Sequence, residues 1–365
     1  MPERLLLALL ALSLSLPLAQ GQQPTVTPTL PPQIVWQVFV NRNLDGAGTA
    51  RLIFLNSLTG AQISQEVRGE RFTPFGAGVL YFDPLTRRVM WLEPERQPVP
   101  HAFVSLPDDA LRVDWIVDEV QTRIAWTVTR PNAEGLVTTT EIARRDGTER
   151  GVVLRDGPRQ GIRALPIAFS ADYGQLFMDA QPDGLAPFVA YEQFAGLFRV
   201  FLDDGRVEAL PNEPSCYCGA GFRGDLYLRL ALTTDQRGFD LRFYDLQRGT
   251  EGRVLANRLL NYTQAGEILI SPDGRFAVYA LTRVENFGTA RQEVETVFML
   301  ADLVNSSQRP LSNPITTYVH PIAWTDDNSA ILLTSPQQDG TWKLQLADGH
   351  LRRVASATLI GWLRP

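Results

Sequence analysis

The sequence predicts an all-β fold, a seven-bladed β-propeller. Three observations carry this. A strand–turn–strand unit recurs along the chain, its copies stand about 47 residues apart on average, and the two chain ends each hold part of one unit. Rings of six or eight blades are the alternatives, because one step between copies is short. No segment sustains a helical period, and 28 Gly and 25 Pro punctuate the apolar runs.

Residues 1–21 read as a secretory signal peptide. Arg4 supplies the positive start, Leu5 to Ala19 the apolar stretch, and Ala19-Gln20-Gly21 the small residues of a cleavage site. The apolar run is short for a span, which needs roughly 20 residues; an uncleaved anchor helix is the competing reading. Residues 22–32 (QQPTVTPTLPP) form a Pro/Thr-rich linker whose prolines favour an extended, solvated chain. Residues 33–365 remain for a single propeller domain.

The clearest repeat is ILISPDGRFAVYAL, Ile268 to Leu281. Pro272 presets φ for the turn and Gly274 accepts positive φ, so the two apolar runs read as a hairpin. Related copies are Ile167–Ala180, Ile322–Ser335, Leu80–Glu93 and, with a longer turn, Val113–Val128; a weak copy surrounds Gly219–Leu230. The last residues of the first strands are then Phe82, Trp115, Phe169, Ile270 and Trp324, and Trp362 matches them in the tail. Third and fourth strands follow at 198–210, 241–255, 297–311 and 343–354. The N-terminal unit (second strand at 34–40, then 51–67) lacks a first strand. The segment 357–362 is a first strand without followers. Pairing 357–362 beside the strands of 33–67 closes the ring and removes its open edges.

Composition excludes several functions. With 34 Lys+Arg against 40 Asp+Glu the net charge is −6, so nucleic acid is not the expected partner. Three His and two Cys leave little material for a metal site or a cysteine framework, and no cofactor is expected. No later segment is apolar enough to span a membrane. A monomer in the periplasm or outside the cell is expected.

The repeat turns, above all Ser271-Pro272-Asp273-Gly274, resemble the TolB-type propeller repeat of exported bacterial proteins, a relative of the WD-repeat. The resemblance covers residues 33–365. It implies the propeller fold, whereas function rests on the site grafted onto it. TolB proteins carry an α/β domain before the propeller; here an 11-residue linker precedes the first strand, so their lipoprotein partner is not carried over. A WD-repeat tetrad needs a His in most blades, more than this chain has.

Ligands of such rings bind where the first strands open onto the central channel. The polar residues in register with that opening are Arg112, Arg163, Glu267 and His320. Such a mixed ring suits a zwitterion, a sugar or a peptide end, and His320 alone has an ordinary pKa near neutrality. A water-filled channel with satisfied polar walls is the bland alternative. Acidic residues abound (Asp108, Asp109, Asp114, Asp118, Glu119), but spacing assigns no pair to acid–base work. Cys216-Tyr217-Cys218 lies between blades and admits a disulfide with redox character, two free thiols or a soft-metal site. The run Asn41 to Gly46 has alternate oxygen ligands like a calcium loop, but Leu52 stands where the closing Glu belongs, so a hairpin loop is the better reading. Arg223-Gly224-Asp225 falls in a repeat turn, where Gly and Asp are expected on backbone grounds. Asn261-Tyr262-Thr263 and Asn305-Ser306-Ser307 are glycosylation sequons. The tryptophans on first and second strands read as packing between blades.

The sequence therefore predicts an exported, non-catalytic binding or scaffold protein with a small-molecule, glycan or protein ligand at the channel mouth. An enzyme of the glycosidase, lyase or lactonase class using the channel is the alternative, and a carbohydrate-binding lectin a third.

Overall fold

The computed structural model describes residues 36–42, 48–184, 191–287, 289 and 291–364. The leader 1–21 and the linker 22–32 lie outside the described residues, as does most of the Asn41–Gly46 run. Ile34–Pro365 forms one compact unit.

Every regular element among the described residues is a strand, and the strands form seven four-stranded antiparallel sheets. Blade 1 is β1 (Trp36–Arg42), β2 (Thr49–Asn56) and β3 (Gln62–Arg68), with β28 (Thr358–Trp362) as its innermost strand. The next blades run from inner to outer strand. Blade 2 is β4 (Glu70–Phe75), β5 (Gly78–Asp83), β6 (Arg88–Leu92) and β7 (Val99–Pro100). Blade 3 is β8 (Arg112–Val117), β9 (Arg123–Asn132), β10 (Gly135–Arg144) and β11 (Gly151–Arg159). Blade 4 is β12 (Ile162–Phe169), β13 (Gln175–Pro182), β14 (Leu197–Phe201) and β15 (Val207–Ala209). Blade 5 is β16 (Ala220–Arg223), β17 (Leu226–Leu232), β18 (Phe239–Asp245) and β19 (Thr250–Val254). Blade 6 is β20 (Gln264–Ile270), β21 (Phe276–Glu285), β22 (Glu293–Asp302) and β23 (Ser307–Pro310). Blade 7 is β24 (His320–Trp324), β25 (Ala330–Thr334), β26 (Thr341–Gln345) and β27 (Leu351–Ala355).

The ring closes as the sequence predicts. β28 pairs antiparallel with β1, Gln37 opposite Trp362 and Val40 opposite Thr358. The Leu363 N–H then donates to the Trp36 carbonyl at 2.8 Å, and the Leu363 side chain is fully buried.

The repeat turn has a side-chain cause. Ser271 Oγ donates to Asp273 Oδ1 at 2.6 Å and accepts the Phe276 N–H at 2.9 Å, while Gly274 sits at φ +68°. Ser170 with Asp172 (2.7 Å) and Thr325 with Asp327 (2.7 Å) repeat the device. A hydroxyl and an Asp two residues later thus tie the first strand to the second at its end.

One repeat copy differs from its sequence reading. Leu80–Glu93 is not a first and second strand but the β5–β6 hairpin, and the inner strand of blade 2 ends at Phe75 rather than Phe82. Asp83 explains the misreading. Its carboxylate accepts the Leu85 N–H at 2.9 Å, so a second-to-third-strand turn carries the same Asp and Pro signature. The short step disappears with this shift, and seven blades follow directly.

The core lies between the sheets. Trp126, Phe54, Phe177, Tyr227, Tyr279 and Phe298 are almost wholly buried there, where flat rings fill the inter-sheet layer. Near the axis the blades converge and the residues shrink. A Cβ on Gly219 of blade 5 would stand 2.5 Å from the Gly266 Cα of blade 6, so only Gly permits this approach.

Candidate channel-mouth site

The innermost strands of neighbouring blades touch around the axis, so side chains crossing between them line the channel. Two charged groups do so.

The first joins blades 2, 3 and 4. Asp114 on β8 is the hub: Arg112 Nε lies 2.8 Å from its carboxylate, and Arg71 and Arg163 each 3.4 Å. Arg163 is 6% exposed and reaches Asp183 as well, at 3.4 Å. Arg71 stacks its guanidinium 4.1 Å from the Trp115 ring centre, and burial lowers its pKa, offset by Asp114. Three guanidiniums thus converge on one central carboxylate, with Asp183 as a further partner of Arg163.

The second group joins blades 6 and 7 to a segment of blade 4. Nδ1 of His320, on β24, lies 3.0 Å from Oε1 of Glu267, on β20. The same oxygen accepts the Glu192 N–H at 3.4 Å. Glu192 belongs to the connection between β13 and β14, whose described residues 191–196 contact blades 5 and 6. The Phe194 N–H donates to the Cys218 carbonyl at 3.2 Å, and the Tyr191 hydroxyl reaches Thr282 and Thr296 of blade 6. Tyr191 also meets His320 edge-on, with ring centres 5.9 Å apart. The other end of this strap is held by Asp179, whose Oδ1 accepts the N–H groups of Ala195 (3.0 Å) and Gly196 (2.9 Å).

Glu192 is at once exposed and enclosed. Water reaches its side chain, yet the ring surrounds it. Loss of bulk solvent, then the charges of Glu267, Asp179 and Asp114, push its pKa up to about 7. Asp114 of the first group is among the charges that act on Glu192.

Backbone geometry aims two of these side chains. Arg71 (φ +59°) and Glu267 (φ +58°) are non-glycine residues in the left-handed region, each within a register shift of its inner strand. An extra residue in one strand re-aims its side chain, and such bulges concentrate at functional rims.

All four sequence-predicted residues therefore stand on innermost strands: Arg112 and Arg163 in the first group, Glu267 and His320 in the other. Arg71, Asp114 and Glu192 were not foreseen as site residues. Arg71 was hidden by the shifted reading of blade 2, and Glu192 lies in a connection with no repeat signal. Cys216 and Cys218 do not reach this group. They are joined by a disulfide in the connection leading into blade 5. No cluster of three or more potential metal-ligating side chains occurs among the described residues.

Beside the disulfide lies a buried ion pair. Arg229 Nε donates to Glu213 Oε1 at 2.7 Å, both side chains 1% exposed, and Tyr227 donates to the same oxygen at 2.9 Å. Arg229 also donates to the carbonyls of Phe194 and Cys216, at 3.1 and 2.9 Å. It thereby fastens the strap to blade 5.

These features define a closed seven-bladed β-propeller with two groups of charged side chains on its innermost strands. No family model matches the chain, and no curated protein matches it. Among solved structures, the chain is similar to a prolyl endopeptidase with a TM-score of 0.58 at 9% identity, over 88% of this chain and 50% of that one. It is also similar to TolB from Acinetobacter baumannii, with a TM-score of 0.44 at 12% identity, over 90% of this chain and 81% of that one. The propeller domain of the Trilobed protease from Pyrococcus furiosus has a TM-score of 0.40 at 10% identity, over 87% and 83%. At such identities the likeness is one of fold. No helix of the described residues is long and apolar enough to cross a membrane.

Proposed function

We propose that the chain is an exported binding protein whose channel mouth holds a zwitterionic ligand, such as a short peptide with both ends free. The observation that carries this reading is the split of the mouth into a wall of Arg71, Arg112 and Arg163 and a facing group of Glu192, Glu267 and His320. A carboxylate docks on the forked guanidiniums, and an amine on the acidic group. The signal sequence supports export.

Calorimetric titration of the mature protein with a free dipeptide and with its end-blocked form tests this. The free form is expected to bind, the blocked form to bind at least tenfold more weakly, and Glu267→Gln to weaken the free form. Equal binding of both forms, or none of either, overturns the reading. N-terminal sequencing of the exported protein is expected to begin at Gln22.

A second reading rests on Glu192. Its pKa is pushed up to about 7 and its N–H meets the Glu267 carboxylate, and paired carboxyl groups are the arrangement glycoside cleavage uses. Hydrolysis of nitrophenyl glycosides, lost in Glu192→Gln, would favour it over simple binding.

A further inference from the structure

Blade 5 carries three arginines directly opposite one another on successive strands: Arg229 on β17, Arg242 on β18 and Arg253 on β19. Like charges in directly opposed positions repel and destabilise a sheet. Two of the three are neutralised. Arg229 has Glu213, and Arg253 has Asp240, whose Oδ2 accepts from Nε at 3.1 Å. Arg242, between them, has no acidic partner among the described residues, and its Nε is buried without a hydrogen-bond acceptor. A half-buried guanidinium in this state is costly unless an anion joins it.

Arg242 also lines a cavity of about 270 Å³. The other polar walls are Asn212, Ser215 and Arg229, with Cys216 of the disulfide beside them. The Ser215 hydroxyl makes only a contact with the Cys216 sulphur, at 4.0 Å, so it is free to donate elsewhere. The nearby carboxylates are spent elsewhere, Glu213 on Arg229, Tyr227 and the Ser215 and Leu197 N–H groups, and Asp240 on Arg253 and the Ala256 N–H. The connection into β16 and the β17–β18 loop both lie at the same end of the blade as the channel mouth, so the cavity opens on the face that carries the mouth.

We infer that this cavity is a binding site for a small oxyanion, a phosphate or carboxylate group, held on the fork of Arg242 with Ser215 as a further donor and with the second N–H of Asn212, whose first already goes to the Tyr244 hydroxyl. A planar guanidinium takes either group through two parallel hydrogen bonds, and its charge completes the ladder of neutralised arginines. The site is separate from the mouth and does not depend on what binds there.

Calorimetric titration of the mature protein with inorganic phosphate, and separately with an acetyl-glutamate peptide amide, tests this at constant ionic strength held with chloride. Saturable binding with a Kd at or below about 1 mM is expected for at least one; the tighter arm tells whether the group comes from phosphate or from an acidic chain. Arg242→Gln is expected to lose at least tenfold while keeping the wild-type far-ultraviolet circular dichroism, since it removes a repelling charge. Arg242→Lys, which keeps the charge but not the fork, is expected to fall between. Absence of saturable binding in both arms, or equal binding by Arg242→Gln, overturns the site. Should Arg242→Gln fail to fold, Ser215→Ala serves: a weaker fit supports the site and unchanged affinity overturns it.

Discussion

The hydroxyl of Tyr191, carried by blade 4, lies 3.0 Å from Oγ1 of Thr296 in blade 6. A segment of blade 4 and the non-adjoining blade 6 are thus linked through one buried phenol. The same hydroxyl meets Thr282, and Thr282 lies 3.2 Å from Thr296, so three hydroxyls close a buried ring. The link holds Glu192, the next residue, against Glu267.

Tyr191→Phe deletes the shared hydroxyl but leaves the two threonines to bond each other. A loss of about 1–2 kcal/mol is expected, the usual cost of breaking a buried hydrogen-bond set whose other members stay paired. Urea denaturation of both proteins measures it. A variant as stable as wild type would mean that packing alone seats the strap.

Stability should depend on pH through the strap. The pKa of Glu192 rises to about 7, and burial raises Asp179 to about 6 against the pull of the Gly196 and Ala195 N–H groups. Both folded values exceed the ordinary carboxyl values, so the native state binds more protons than the unfolded chain from about pH 4 to about pH 7. The stabilisation is complete below the ordinary pKa and is lost as pH climbs through the folded one. Urea midpoints are therefore expected to fall between about pH 5 and about pH 8. Glu192→Gln should raise the midpoint at the higher pH and leave the lower one nearly unchanged. A flat profile that Glu192→Gln does not alter would remove this account.

The Arg229–Glu213 pair predicts a larger effect. Glu213→Ala strands a buried guanidinium and unpairs the Tyr227 hydroxyl. Breaking one side of such a pair typically costs about 3–5 kcal/mol. Arg229 also holds the Phe194 carbonyl, so proteolysis within the strap should accelerate in this variant. Limited digestion followed by mass spectrometry reads that directly.

The sequence made the fold legible because the hydroxyl-and-Asp turn is written in local residues: Ser271 with Asp273, Ser170 with Asp172, Thr325 with Asp327. The same locality misled at Asp83, since an Asp-based turn does not say which strands it joins. Arg112, Arg163, Glu267 and His320 were legible as inner-strand residues from register alone. Their grouping was not. It depends on contacts between blades far apart in sequence, on the bulges that turn Arg71 and Glu267, and on a strap whose course no repeat encodes. The arginine ladder of blade 5 was equally invisible, because cross-strand opposition exists only once register is set.

Closure yields the last prediction. β28 is the only strand that crosses from the C-terminal end to blade 1, and it supplies the inner edge on which β1 pairs. It also packs beside β4, so its loss frees the edge of β1 and uncovers part of β4 in blade 2. Leu359 and Leu363 would leave the core with it, at 4% and 0% exposure. Truncation after Ser356 is therefore expected to convert the closed ring into an aggregating or early-melting chain, since an unpaired inner edge is a template for further strands. Size-exclusion chromatography with thermal denaturation checks this. Adding a synthetic peptide of residues 357–365 should restore part of the melting temperature if the strand alone closes the ring. A truncated chain that keeps the full chain's elution volume and melting midpoint would show that the ring is held by its inter-blade core instead.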